Sequence, residues 1–159
     1  MDVTVRRIRP DEGPLLKQVR LAALADSPSA FAKTHAEESA YDEAEWTRRA
    51  TESSDGADGA TFVVEVGGEV QGLVGGHRLD GAELVSMWVR PEARGTGAAE
   101  ALVDAVVAWA AGPIELWVTQ GNDRAIAFYR RMGFVEIDDV ELLPPGPCHN
   151  EVRMRLVSG

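Results

Sequence analysis

The residues best placed to do chemistry sit in one turn, Val89-Arg90-Pro91-Glu92-Ala93-Arg94-Gly95-Thr96-Gly97-Ala98-Ala99, where an apolar strand signal passes through glycines into a helix signal. Gly95 and Gly97 carry no Cβ to block a close approach, a helix N-terminus offers free N–H groups with partial positive charge, and Arg94 adds a full charge. That combination suits a phosphate or pyrophosphate. A Walker A loop would need Gly-x-x-x-x-Gly-Lys followed by Ser or Thr, and no lysine follows Lys33. A dinucleotide fingerprint would need a third small residue where Glu100 stands and an acid at the end of the next strand, whereas Glu115 sits near that strand's beginning. His35, His77 and His149 are too scattered for metal spacing, no Gly-x-Ser-x-Gly elbow occurs, and only His149 stands near Cys148 in sequence to activate its thiol. No metal is therefore expected.

Positioning that turn requires strands and helices in mixed order. Val3 to Ile8 alternates like a strand, and Arg9-Pro10-Asp11-Glu12 opens a helix carrying Leu15, Leu16, Val19 and Ala23, which Asp26-Ser27-Pro28-Ser29 ends. A polar stretch follows with helical character from Glu43 to Arg49, and Thr51 to Gly59 reads as a loop. Thr61–Val66 and Val70–Val74 flank Gly67-Gly68-Glu69 as a hairpin, and Leu84–Val89 is a third strand closed by Pro91. Gly95 to Ala111 reads as a helix with Ala99, Leu102, Val103, Val106 and Ala110 on one face. Ile114–Val118 is a strand, and Asn122-Asp123 caps a helix in which Ala125, Phe128, Tyr129 and Met132 recur at helical spacing before Gly133 stops it. Val135–Leu142 and Glu151–Leu156 read as strands around Pro144-Pro145-Gly146-Pro147. Strand–helix–strand beside hairpins makes the class α+β, or mixed α/β.

A length of 159 residues suits one domain, 1–159. With 26 acids against 16 Lys and Arg the chain carries a net charge of −10, the wrong sign for a nucleic-acid surface. The single cysteine allows no internal disulfide, the first residues lack an apolar signal core, and Ala105 to Ile114 is too short to span a bilayer. The expectation is a soluble cytoplasmic protein with neither a nucleic-acid nor a membrane partner.

Arg94-Gly95-Thr96-Gly97-Ala98-Ala99 resembles the phosphate-binding turn of the GNAT (GCN5-related N-acetyltransferase) superfamily, in which Arg or Gln is followed by x-x-Gly-x-Gly or Ala. A second family element matches in order: the strand Leu116-Trp117-Val118, then Asn122, Ala125, Ile126, Phe128, Tyr129, Met132, Gly133 and Phe134. The resemblance extends from Thr61 to Leu156, while Val3 to Trp46 matches only as strand, helix, loop and helix. It implies a central, mostly antiparallel sheet of about seven strands flanked by about four helices. It also implies acetyl-coenzyme A as acyl donor and an amine on a small molecule or peptide as acceptor, attacked directly in a ternary complex. A homodimer is the further partner it suggests.

By the same resemblance, Leu84–Val89 splays away from Ile114–Val118, the pantetheine arm pairs with backbone near Met87 and Val89, and the N–H groups of Trp88 and Val89 face the thioester carbonyl. The pyrophosphate would lie on Gly95, Thr96, Gly97, Ala98 and Ala99. Tyr129 would protonate the departing thiolate; its spacing with Ala125 and Met132 equally fits a core tyrosine. Glu83 would be a general base, and it equally fits a solvated charge at a strand end. Asn122 reads as an N-cap and, by resemblance, as a pantetheine contact, with Ala125 and Phe128 beside it. Arg124, Arg130 and Arg131 are candidates for a 3′-phosphate. Phe31, Glu37, Glu38, Tyr41 and Trp46 fit an acceptor pocket and ordinary packing alike. Two other classes stand beside the transferase: a non-catalytic acyl-coenzyme A sensor or partner module, and a nucleotide-binding protein without acyl chemistry.

Overall fold

Apolar residues at every second position build the sheet, and those at every third or fourth build its cover. The computed structural model describes residues 2–28, 31, 33–78, 80–137 and 151–157. In chain order these fold as β1 (Val3–Arg7), α1 (Gly13–Asp26), α2 (His35–Ser39), α3 (Glu43–Asp55), β2 (Gly59–Val66), β3 (Glu69–Arg78) and β4 (Ala82–Val89). There follow α4 (Ala98–Ala110), β5 (Ile114–Thr119), α5 (Asp123–Arg131), β6 (Val135–Glu136) and β7 (Glu151–Leu156). The strands form one sheet in the order β1-β2-β3-β4-β5-β7-β6. Every neighbouring pair is antiparallel except β4 and β5. The expected α+β class and mostly antiparallel sheet are thus observed. Five helices, rather than about four, flank it, because His35–Ser39 forms a separate short helix capped by the Thr34 hydroxyl, which accepts from the Glu37 N–H at 3.1 Å.

One face of the sheet is covered by α4 and α5, where Leu102, Val103 and Val106 meet Val64, Val74 and Leu84, and Ile126 and Tyr129 meet Leu116 and Val118. The other is covered over β2 to β4 by α1 and α3, where Leu16, Val19 and Trp46 meet Val63, Leu73 and Trp88. Each such large side chain contributes roughly 1.5–3 kcal/mol by leaving water. Gly67 and Gly68, both at positive φ (61° and 88°), close the β2–β3 hairpin as expected.

Three boundaries differ from the sequence reading. Helix α3 runs on through Asp55, across residues read as loop, because Arg7 reaches over from β1 and donates to the carbonyls of Ser53 (3.1 Å) and Gly56 (2.6 Å) at its C-terminal end. The Ser53 and Ser54 hydroxyls bond back to the carbonyls of Arg49 and Thr51, so they do not break the helix. Helix α4 begins at Ala98 rather than Gly95, since Pro91–Ala93 makes a short 3-10 turn and Gly97, at φ 92°, is the N-cap. Of the strand expected over Val135–Leu142, only Val135–Glu136 pairs; the rest from 138 onward, with the proline loop, Cys148 and His149, lies outside the described residues. No helix among the described residues is long and apolar enough to cross a membrane.

Candidate functional site

Parallel strands β4 and β5 pair only at Ala82↔Ile114 and Glu83↔Glu115, then part, although β4 continues to Val89 and β5 to Thr119. The gap between them is a narrow space of about 150 Å³ walled by Ser86, Met87, Trp117, Thr119, Ala125 and Tyr129. Met87, Asn122, Ala125 and Tyr129 also belong to a neighbouring cavity of about 540 Å³ that reaches the glycine turn. Of the residues singled out in the sequence, Met87, Trp88, Val89, Arg94, Gly95 and Ala99 line this cavity from one side. Asn122, Ala125, Phe128 and Tyr129 line it from the other.

Gly95 and Gly97 hold φ of 83° and 92°, and a Cβ built on either would meet nothing within 4 Å. The turn thus presents bare backbone to open space, at a helix start whose N-cap, Gly97, has no side chain to cap the amides. Thr96 and Ala98 form its under-side: the Thr96 hydroxyl donates to the Ala93 carbonyl at 2.5 Å, and the Ala98 N–H lies 3.4 Å from that hydroxyl oxygen. Arg94 donates through Nε to the Val89 carbonyl (3.2 Å) and through Nη2 to Asp26 Oδ2 (3.1 Å), which also accepts from Trp88 Nε1 (2.9 Å). The Trp88 indole, then the Ser27 hydroxyl, hold the Asp26 carboxyl below its ordinary pKa, with Arg94 adding to them.

Backbone direction along β4 follows from its partner. Arg90 donates its N–H to the Gln71 carbonyl at 2.7 Å, and Trp88 stands opposite Leu73. Alternation directs the Trp88 N–H toward β3 and turns the Val89 N–H into the gap. The expectation that both amides face the gap is therefore corrected to Val89 alone, and Trp88 contributes its ring.

On α5, the Asn122 side chain accepts from the Ala125 N–H at 3.2 Å and caps the helix. Tyr129 is only 8% exposed, edge-on to Phe128 and Phe134 at 5.1 and 5.7 Å. Its hydroxyl bonds to no other described residue, and burial pushes its pKa up. Tyr129 thus packs in the core and also faces both cavities, so the two readings of its spacing are compatible. Arg124 and Arg131 line the larger cavity; Arg130 instead pairs with Glu136.

Glu83 is not a wall of the gap. It shares a 2.8 Å hydrogen bond with His77 Nε2, at the end where β4 and β5 remain paired. A second carboxylate, Glu151, stands opposite Thr119, a gap residue, and burial, with the Glu83 charge, raises its pKa. A third cavity, of about 1010 Å³, lies on the α1–α3 side and shares Val85 and Ser86 with the gap. Trp46 lines it. Glu38 is wholly buried against Arg20, whose guanidinium covers the Phe31 ring at 4.7 Å; Tyr41 packs edge-on to Trp46, and Glu37 is exposed. Sequence reasoning missed Asp26, Ser86, Glu151 and the burial of Glu38. Ser86 left no signal in the sequence alone: the broken alternation shows only once the structure places both Leu84 and Val89, an odd number apart, in the same core.

The sequence matches the model of the acetyltransferase (GNAT) family over residues 21–134. An uncharacterised N-acetyltransferase of Methanocaldococcus jannaschii is 34% identical over 92 residues, 50% of this chain and 41% of that protein, so the chain spans under half the length of this curated relative. Among solved structures, spermidine N-acetyltransferase from Vibrio cholerae, in complex with CoA and spermine, superposes with a TM-score of 0.75 at 20% identity, covering 98% of this chain and 95% of that one. The PaiA N-acetyltransferase from Thermoplasma acidophilum, in complex with coenzyme A, gives 0.72 at 16% identity, covering 99% of each chain. At these identities the likeness is one of fold.

Proposed function

The chain belongs to the GNAT family of acetyltransferases, and we propose that it moves an acetyl group from acetyl-coenzyme A to the nitrogen of an amine, by direct attack while both substrates are bound. The observation that carries the reading is the β4–β5 gap, which joins a bare glycine turn to the side chain of the largely buried Tyr129. The turn fits a pyrophosphate: two glycines at positive φ, free space in front of them, and the start of a 13-residue helix behind. Acetyl-coenzyme A would supply an activated acyl group as a thioester.

The residues divide the work by position. Gly95 to Ala99 would hold the pyrophosphate, Arg124 and Arg131 would face the 3′-phosphate, and Asn122, Ala125, Phe128 and Met87 would wall the pantetheine. The Val89 N–H, aimed into the gap, would hold charge developing on the carbonyl oxygen. The amine nitrogen forms its bond to the acyl carbon as the carbon–sulfur bond breaks, and Tyr129 gives its proton to the departing sulfur. The amine must shed a proton. Glu83 would take it only through water, and Glu151, beside Thr119, is the second candidate. Ser86, the serine that lines the gap, accepts from an arginine rather than giving its proton to a base, which favours direct attack over an acyl-serine route.

The net charge of −10 supports a cationic acceptor, as do Glu52, Asp55 and Asp58 beside the large cavity that shares Ser86 with the gap. The Vibrio cholerae relative acts on spermidine, so a polyamine belongs among the amines tried first. The lone cysteine supports residence in a reducing cytoplasm, and a second copy covering a sheet edge at β1 or β6 completes the reading. The test is release of coenzyme A thiol from acetyl-coenzyme A with a panel of amines. Binding without release, for every amine, would favour the acyl-coenzyme A sensor; no binding of acetyl-coenzyme A, with binding of ATP at the turn instead, would favour a nucleotide site.

A further inference from the structure

We propose that Arg20, clamped by the buried Glu38, is a positioning residue: its hydrogen bond to Ser86 fixes the bulge in β4 that sets the geometry of the gap. The proposal rests on the acetyl-coenzyme A reading of that gap. Strand alternation would put Leu84, Ser86 and Trp88 on one face. Instead Leu84 and Val89 pack on the α4 side and Trp88 packs on the α1 side, so one residue has been inserted. The register of β3 against β4 slips between Leu73 and Gly75, and there Ser86 takes φ 58°, one of two non-glycine residues at positive φ among those described. A bulge of this kind bends its strand and reverses the facing of all that follows. Below Ser86, β4 pairs with β5; above it the strands part and the Val89 N–H faces the gap.

Serine does not choose this backbone by itself, since the left-handed region is costly for residues with a Cβ and favours Gly or Asn. Something must hold it. Arg20 Nη1 donates to Ser86 Oγ at 2.6 Å. The guanidinium is in turn fixed by Glu38, which is 0% exposed and accepts from Nε and Nη2 at 2.9 Å each, and by the Phe31 ring beneath it. A buried ion pair is a poor stabiliser compared with apolar packing. A forked pair that leaves one rigid N–H free is, however, a precise anchor. Glu38 on α2 and Arg20 on α1 therefore transmit the position of both helices to the strand that lines the acyl gap.

The test compares Ser86→Ala and Ser86→Asn with wild type in the full chain, by calorimetric titration with coenzyme A and by amide hydrogen exchange without ligand. Alanine keeps the Cβ and loses the acceptor; asparagine tolerates positive φ and offers Arg20 a carbonyl oxygen. The expected result is coenzyme A affinity about tenfold weaker in Ser86→Ala, the scale of one lost charge-assisted hydrogen bond. Exchange at the Arg90 amide should rise by about the same factor, and both should return to within about threefold of wild type in Ser86→Asn. Wild-type affinity and exchange in Ser86→Ala, or no recovery in Ser86→Asn, would overturn the proposal. If wild type binds no coenzyme A, the cofactor reading falls, and the Arg90 exchange still decides whether Arg20 holds the bulge.

Discussion

Replacing Tyr129 by phenylalanine removes one oxygen from a site where packing and proton donation can be separated. The ring stays between Phe128 and Phe134, so the edge-on contacts at 5.1 and 5.7 Å persist. The hydroxyl has no partner among the described residues, so its loss should change stability by less than about 1 kcal/mol. For a domain of this length that is a shift in Tm of about 2–4 °C or less. Catalysis should respond differently. A positioned general acid contributes roughly 10²- to 10⁴-fold, about 2.7–5.4 kcal/mol of barrier. A phenol of ordinary pKa near 10 gives its proton to a thiolate near 8.5 at a cost of about 2 kcal/mol. Burial pushes the Tyr129 phenol higher, and the same dry site also disfavours the thiolate, so part of that change cancels. Because the acid form is the active one and its pKa is raised, kcat should show no fall assignable to Tyr129 below about pH 10. The assay is thiol release at saturating acetyl-coenzyme A, with melting temperature in parallel. A kcat within twofold of wild type in a folded Tyr129→Phe would refute the acid role and leave Tyr129 as packing.

Further expectations follow from other contacts. Gly97→Ala should lose about 1–2 kcal/mol of stability, from a Cβ at φ 92°, and should weaken coenzyme A binding further by crowding the turn, read by melting and calorimetry. Arg131→Ala should raise KM for acetyl-coenzyme A but not for its 3′-dephospho form, whereas Arg130→Ala, which breaks only the pair with Glu136, should leave both unchanged. Glu12 is held below the usual carboxylate range, first by its paired hydrogen bonds from Arg6 at 2.7 and 2.9 Å. Its stabilisation is thus present above the unfolded pKa near 4.3 and lost as pH falls through the lower folded value, so denaturation curves of Glu12→Gln should approach those of wild type below about pH 4.

The glycine turn, the hairpin and α5 were legible because their signals are local: positive φ needs glycine, and periodicity needs only neighbours. The parting of β4 from β5 was expected by resemblance, but its local cause was not. Serine at a left-handed position carries no composition signal, and the broken alternation from Leu84 to Val89 is visible only once both are known to be core. Glu38 resembles any helix-surface acid until Arg20, 18 residues earlier, folds over it. Asp26 reads as a helix breaker, yet its carboxylate ties Trp88 and Arg94 together from more than sixty residues away. Glu83 failed to reach the gap because β4 is still paired with β5 at that point. Such long-range polar contacts depend on the fold and have no periodicity of their own.

The central claim is that coenzyme A lies in the β4–β5 gap with its pyrophosphate on the glycine turn. A crystal structure of the chain grown with coenzyme A tests it most directly. The account predicts pyrophosphate oxygens within about 3.2 Å of backbone N–H groups from Gly95 to Ala99, and the sulfur beside the Tyr129 hydroxyl. Coenzyme A bound in the cavity of about 1010 Å³ on the α1–α3 side, lined by Gly59 and His77, or a pyrophosphate bonded to no amide of the turn, would contradict it.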